Sequence, residues 1–139
     1  NFTLNEDMEN CLGPGKKSLH TIIPGFLMKD GKAVGPFGVM GGFMQPQGHV
    51  QVIMNTLDFM MNPQETLDAP RWQWVGGKKI QVEKTFPVEI VEELKRRGHE
   101  MEVLESSLTF GRGQIIWRDE NGVLCGATEP RADGAVAVW

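Results

Sequence analysis

The sequence predicts an α+β fold in which hairpin-connected strands and a few helices form layers, and three observations carry that reading. The patterns run as two strands, two helices, a strand, a helix and three further strands. Asp30-Gly31 and Asn121-Gly122 sit between apolar runs, where such pairs favour hairpin turns. The hydrophobic period changes from strand-like to helix-like near Pro46, within the stretch Val39 to Asn55 around which the chain is organised. With 139 residues, 40% of them hydrophobic, the chain can bury one core and falls within the size of one domain.

Taken in order, Asn1 to Lys17 is polar, ends in Gly-Pro-Gly-Lys-Lys and reads as a loop. Leu19 to Met28 is apolar but broken by Pro24-Gly25, and the turn at Asp30-Gly31 joins it to a second strand, Ala33 to Met40. After Gly41-Gly42, Pro46 or Gln47 opens a helix. Val50, Ile53, Met54, Leu57 and Met61 recur at three- and four-residue spacing, which predicts one apolar helical face. Asn62-Pro63-Gln64-Glu65 predicts a capped helix start, with Glu65 reaching back to the Asn62 backbone, and Pro70 stops that helix. Arg71 to Trp74 leads through Gly76-Gly77 into a strand at Lys79 to Glu83. A helix from Pro87 to Arg97 follows, with Val88, Val91 and Leu94 on its predicted buried face and Gly98 as its stop. Met101 to Leu104, Gln114 to Trp117 and Val123 to Ala127 complete the set as strands.

Composition excludes several function classes. The net charge is -4, and the densest basic cluster, Lys95-Arg96-Arg97, lies where it complements a helix C-terminus, so nucleic acid is not an expected partner. No apolar run approaches the ~20 residues that span a bilayer. Cys11 and Cys125 lack metal spacing and are each expected as buried free thiols; no metal and no organic cofactor is expected. His49 and His99 read as exposed or capping groups, and Arg71, close to Asp68, as a tie between loops. The chain opens at Asn1-Phe2 without methionine, so an upstream part is expected.

The first chemistry-bearing feature is the glycine pair. A helix start leaves backbone N–H groups unpaired and carries a positive dipole end, so Gly41 and Gly42 can bring bare amides against an oxygen anion. A plain glycine turn between strand and helix explains the same residues.

A longer series of motifs keeps a fixed order. Pro14-Gly-Lys-Lys17 precedes Leu19-His20-Thr21; then come Gly38-Val-Met-Gly-Gly42, Gln51, Asn55 and Leu57-Asp-Phe59. Asn62-Pro-Gln-Glu65, Asp68-Ala-Pro-Arg71, Gly98-His99 and Gly126-Ala-Thr-Glu-Pro-Arg131 follow, ahead of Asp133-Gly134. From about Asn5 onward the chain resembles the C-terminal part of the small, catalytic subunit of gamma-glutamyltranspeptidases, in their glutathione-hydrolase-like or acylase-like branch. The resemblance implies the αββα sandwich of N-terminal-nucleophile hydrolases, built by a precursor that cleaves itself so that a threonine heads the small subunit. The segment that carries such a threonine has no counterpart here: Thr3 lies in an unrelated context and Thr21 falls in the substrate-loop motif. Residues 1–139 are thus expected to be a single incomplete domain, inactive alone. Its implied partners are the remainder of the small subunit and the large subunit of the same precursor, and an exposed sheet edge predicts self-association. The implied substrate is a gamma-glutamyl or related acyl amide such as glutathione.

Site residues carry over one by one. The resemblance makes Gly41 and Gly42 the oxyanion hole. His20 and Thr21 match two serines that hold the substrate α-carboxylate; Thr21 keeps the hydroxyl and His20 does not. Asn5, Glu9 and Asn10 match the segment that binds the substrate α-amine, with neutral Asn10 where aspartate is usual. Phe43 and Met44 after the glycines make the pocket more apolar than the Ser-Arg often found there. A second reading, a non-catalytic ligand-binding or assembly module that keeps the layered fold, fits the same residues.

Overall fold

The computed structural model describes residues 3–139. In chain order it holds β1 (Gly25–Lys29), β2 (Lys32–Met40), α1 (Gln45–Leu57), α2 (Pro63–Asp68), β3 (Trp72–Gly76) and β4 (Lys79–Glu83), followed by α3 (Val88–Arg96), β5 (Glu100–Leu104), β6 (Arg112–Arg118) and β7 (Leu124–Thr128). Two sheets form. One is antiparallel throughout in the order β1-β2-β6-β7; the other runs β3-β4-β5, with β4 and β5 parallel across the α3 connection. The expected strands and helices are present with shifted ends, and β3 is a strand that the sequence reading passed over as a lead-in.

The main core lies between the four-stranded sheet and the first two helices. Val39 of β2, Ile115 and Trp117 of β6 and Ala127 of β7 pack with Val52 of α1 and Leu67 of α2. Each large apolar side chain so buried contributes about 1.5–3 kcal/mol. The alternation of β6 makes the other face plain: Gln114 and Ile116 point away from this core, and Phe26, Met40 and Leu124 are exposed as well. The tail returns across that outer face, seating Val136 beside Gly126. One helix layer on one sheet is thus the arrangement of the main body.

The two long helices correct the sequence reading. In α1 the buried residues are Gln45, Gly48, Gln51 and Val52, while Val50, Met54 and Leu57 are exposed and Met61 lies beyond the helix. The reason is the approach distance. A Cβ on Gly48 would stand 2.8 Å from Val39 Cγ1, so the sheet takes the glycine face rather than the wider apolar one. In α3 only Val91 is fully buried and Val88 is exposed, because α3 packs against β5, an outer strand of a sheet of only three. Cys125, expected buried, is exposed on β7, whereas Cys11 is buried as expected. The start of α2 carries the predicted cap: Asn62 Oδ1 accepts from the Glu65 N–H at 2.9 Å, and Glu65 Oε2 accepts from the Asn62 N–H at 2.9 Å.

Candidate active site

Strand β2 ends at Met40 and the chain enters α1 through one tight turn. Gly41 has φ 152 and Gly42 φ 60, both values that disfavour residues with a Cβ. A Cβ on Gly41 would also stand 2.8 Å from Gly111 Cα, whereas one on Gly42 would meet nothing within 4 Å. The Met44 N–H donates to the Gly41 carbonyl at 3.1 Å and the Gln45 N–H to the Gly42 carbonyl. The turn therefore uses the carbonyls of both glycines. Neither glycine amide has a hydrogen-bond acceptor among the described residues. Both glycines line a cleft of about 740 Å³ with Phe43, Gln47, Trp74 and Thr109.

The helix that follows holds two extended segments through side-chain amides. Gln47 Oε1 accepts from the Trp74 N–H at 2.7 Å, and its Nε2 donates to the Trp74 carbonyl at 3.1 Å. One turn on, Gln51 does the same to Trp72, at 3.2 and 2.9 Å. Two glutamines of α1 thus act as ladder partners for β3, and Gln47 with Trp74 lies on the wall of the cleft that the glycines line. On the other side Gln45 Nε2 donates to the Thr21 carbonyl at 2.8 Å and its Oε1 accepts from the Ile23 N–H at 3.0 Å. His49 stands between two carbonyls, with Nδ1 2.7 Å from that of Gln45 and Nε2 2.6 Å from that of Ile23; the protonated nitrogen is the donor. Its ring centroid lies 5.3 Å from that of Phe37.

The sequence-derived site residues separate into two groups. His20 and Thr21 are exposed and lie on the segment that Gln45 grips, next to the glycine turn. Asn5 and Glu9 are exposed and Asn10 is half-buried; Asn5 Oδ1 accepts from the Asp7 N–H at 3.1 Å. Glu9 and Asn10 line a different cavity, of about 420 Å³, together with Cys11, Lys16 and Leu19. Among the described residues Gln45 thus ties the Thr21 segment to the helix that the glycines open, while Glu9 and Asn10 line a cavity of their own. No cluster of three potential metal ligands occurs among the described residues.

A profile of the gamma-glutamyltranspeptidase family matches residues 1–139. The chain belongs to this family. The glutathione hydrolase-like YwrD proenzyme of Bacillus subtilis (strain 168) is 36% identical over 96% of this chain and 27% of its own length. The oxamate amidohydrolase proenzyme of Klebsiella pneumoniae is 32% identical over 98% of this chain and 27% of its own length. Among solved structures, a cephalosporin acylase from Bacillus halodurans is 64% identical with a TM-score of 0.85, covering 100% of this chain and 26% of that one. A gamma-glutamyltranspeptidase from Pseudomonas nitroreducens, complexed with L-DON, is 26% identical with a TM-score of 0.75, covering 96% and 69%. The chain spans about a quarter of the length of the curated relatives it matches. Its mixed α/β layers are those of the N-terminal-nucleophile hydrolases of the gamma-glutamyltranspeptidase family.

Close to the glycine turn lies a buried ion cluster. Arg71 Nη2 donates to Glu129 Oε2 at 2.7 Å and its Nη1 to the Phe110 carbonyl at 3.0 Å; Glu129 Oε2 also accepts from the Gly113 N–H at 2.6 Å. Arg131 bonds Glu129 Oε1 at 2.7 Å, the Leu67 and Ala69 carbonyls, and both oxygens of Glu83. Arg71 is the tie that the sequence suggests, but its partner is Glu129 at the far end of the chain rather than Asp68. Burial holds the Arg71 guanidinium below its ordinary pKa despite Glu129 beside it. Burial pushes the Glu129 carboxyl up, yet Arg71, Arg131 and the Gly113 amide together hold it below the usual carboxylate range. For Arg131, burial is outweighed by the bonds to Glu83 and Glu129, which raise its pKa. The cluster joins the segment between α2 and β3 to β4, α2, β6 and the loop after β7.

Two features were not recognised from sequence. The glutamine clamps had a signal in Gln45, Gln47 and Gln51, three amides within seven residues of a helix that also has to meet a sheet. The ion cluster had its signal in Glu129-Pro-Arg131 and Glu83, but nothing local says that these residues meet Arg71.

Proposed function

We propose that this chain works as part of a longer precursor that becomes an N-terminal-nucleophile amidohydrolase, hydrolysing or transferring an acyl group from an amide. In this reading residues 1–139 are the C-terminal part of the small subunit. The exposed outer face of the four-stranded sheet, with Phe26, Met40, Ile116 and Leu124, receives the remaining layers of the same precursor. The observation that carries the catalytic reading is the pair of amides at Gly41 and Gly42, without acceptors among the described residues and belonging to two glycines that line a cleft.

The chemistry follows from that pair. A threonine hydroxyl supplied by the rest of the precursor attacks the amide carbonyl while its own α-amine takes the proton. The carbonyl oxygen gains charge as the tetrahedral intermediate forms, and the Gly41 and Gly42 N–H groups donate to it. Collapse expels the amine, which takes the proton back from the α-ammonium and leaves the acyl group as an ester on the threonine; water or an acceptor amine then attacks that ester and frees the hydroxyl. Such a donor typically lowers the barrier by about 3 kcal/mol. Thr21 and His20 hold a carboxylate on the acyl head group, and Asn5, Glu9 and Asn10 meet its amine in the assembled protein. With a histidine in place of a hydroxyl and Asn10 uncharged, discrimination for a gamma-glutamyl head group is weak. Phe43 and Trp74, exposed on the cleft, favour acyl or leaving groups with apolar surface. The names of relatives, which include a glutathione hydrolase-like protein, an oxamate amidohydrolase and a cephalosporin acylase, support amides as the substrate class.

The test is the full-length precursor, assayed for self-cleavage and for turnover of a gamma-glutamyl anilide and an apolar acyl anilide. Turnover of at least one, lost on removing the upstream threonine, is expected; these 139 residues alone are expected to turn over neither. Activity in the isolated chain would place the nucleophile inside it and defeat the assignment of roles.

A further inference from the structure

We propose that Gln45 and His49 are the positioning residues that set the distance between the head-group segment at His20-Thr21 and the amides of Gly41 and Gly42. This rests on the reading of the glycine pair as the oxyanion site. Residues 16–24 belong to no strand or helix, and Thr21, Ile22 and Ile23 are exposed. No sheet ladder therefore fixes their place. Two side chains of α1 do so instead.

Gln45 is 5% exposed and follows Met44 directly, at the first position of the helix that the glycines open. Both ends of its amide are engaged, with the Thr21 carbonyl and the Ile23 N–H. A planar amide held at two points cannot slide along a backbone without losing both bonds. One turn later His49 reaches the Ile23 carbonyl, its ring held by Phe37 on β2 and its other nitrogen at the Gln45 carbonyl. The grip thus covers the carbonyl of Thr21 and the N–H of Ile23, and with the proton of His49 on Nε2 it takes the Ile23 carbonyl as well. Such bonds to exposed backbone add little to the stability of the core. Their effect is geometric: the oxyanion turn and the head-group segment become two arms of one rigid helix start. For a reaction in which a displacement of about 1 Å costs on the order of a hundredfold, that linkage determines which acyl head groups are held in register.

The experiment uses the full-length precursor with Gln45→Ala, His49→Phe, Thr21→Val and the Gln45→Ala/Thr21→Val double variant, plus Gly42→Val as reference. His49→Phe keeps a ring against Phe37 and removes the bonds. Kinetics are read on gamma-glutamyl anilide and on pentanoyl anilide, which has the same chain length but neither head-group charge. Gln45→Ala and His49→Phe are expected to self-cleave and to raise KM for the gamma-glutamyl anilide about tenfold, with kcat within about threefold and pentanoyl turnover unchanged. Thr21→Val is expected to add nothing in the Gln45→Ala background. An unchanged KM in both variants, an equal loss on both substrates, an additive cycle, or failure of both variants to mature overturns the proposal. Undiminished kcat in Gly42→Val sinks the oxyanion reading and this inference with it. Loss in Gly42→Val beside an unchanged KM in the clamp variants overturns this inference alone.

Discussion

The ion cluster and the glycine turn treat polar groups in opposite ways. At the cluster every charge is answered: Glu129 takes Arg71, Arg131 and the Gly113 amide, and Glu83 takes Arg131 and the Arg71 N–H. At the turn the carbonyls are used, and the two amides have no acceptor among the described residues although both glycines line a cleft. Both sites lie close to the β2 and β6 ends, since Gly41 packs on Gly111 and Gly113 feeds the cluster. The difference teaches how the two kinds of work divide. Closed networks hold elements together, because a buried charge without a partner is very unfavourable. Donors without an acceptor stabilise nothing in the resting protein, and in the proposed reaction they are the groups that meet the transient anion.

The largest effect is expected at the closed site. Glu129→Gln removes the carboxylate that pairs buried Arg71, and the precursor should lose about 3–5 kcal/mol of stability in a denaturant titration. An unmoved midpoint would mean that water answers the arginine and that the cluster is not closed.

At the open site the loss should fall on rate instead. Gly42→Val directs a side chain into free space and is expected to cut kcat about 100-fold. It also carries a stability loss of about 1–2 kcal/mol from a β-branched residue at φ 60. Gly41→Ala, by contrast, should fail to mature, since its Cβ would press on Gly111. Equal loss of stability in Glu129→Gln and Gly42→Val, measured side by side, would erase the distinction.

Acid sharpens it further. The folded Glu129 carboxyl titrates below its unfolded value, so its contribution is fully present above the ordinary glutamate pKa of about 4.3 and is lost as pH falls through the lower folded value. Stability of the parent protein should therefore fall more steeply below about pH 4.3 than that of Glu129→Gln, by thermal unfolding across a pH series. Parallel acid limbs would assign the acid sensitivity to other carboxylates. The smallest effect belongs to an exposed counterpart. Glu93, whose carboxyl is held below the usual range by bonds to Arg96 and Arg97, lies in solvent, and Glu93→Ala should leave the melting temperature within experimental scatter.

The sequence by itself determined whatever short-range geometry encodes: the hairpins at Asp30-Gly31 and after Asp119, the capping box at Asn62, and the glycine turn into α1. These need only a few adjacent residues, and their dihedral and capping preferences act over one turn. The order of motifs also placed the chain in its family. The tertiary structure alone decided which face of α1 is buried, because periodicity marks an apolar stripe but not how closely a sheet will approach Gly48. It alone joined residues 58 positions apart in the Arg71–Glu129 pair, and it placed Glu9 and Asn10 on a different cavity from the one that the glycines line. Only it turned the three glutamines from polar surface into clamps. A side-chain amide can serve solvent or a backbone equally well, and the choice depends on whether an extended segment that has no ladder partner on that side lies within about 3 Å.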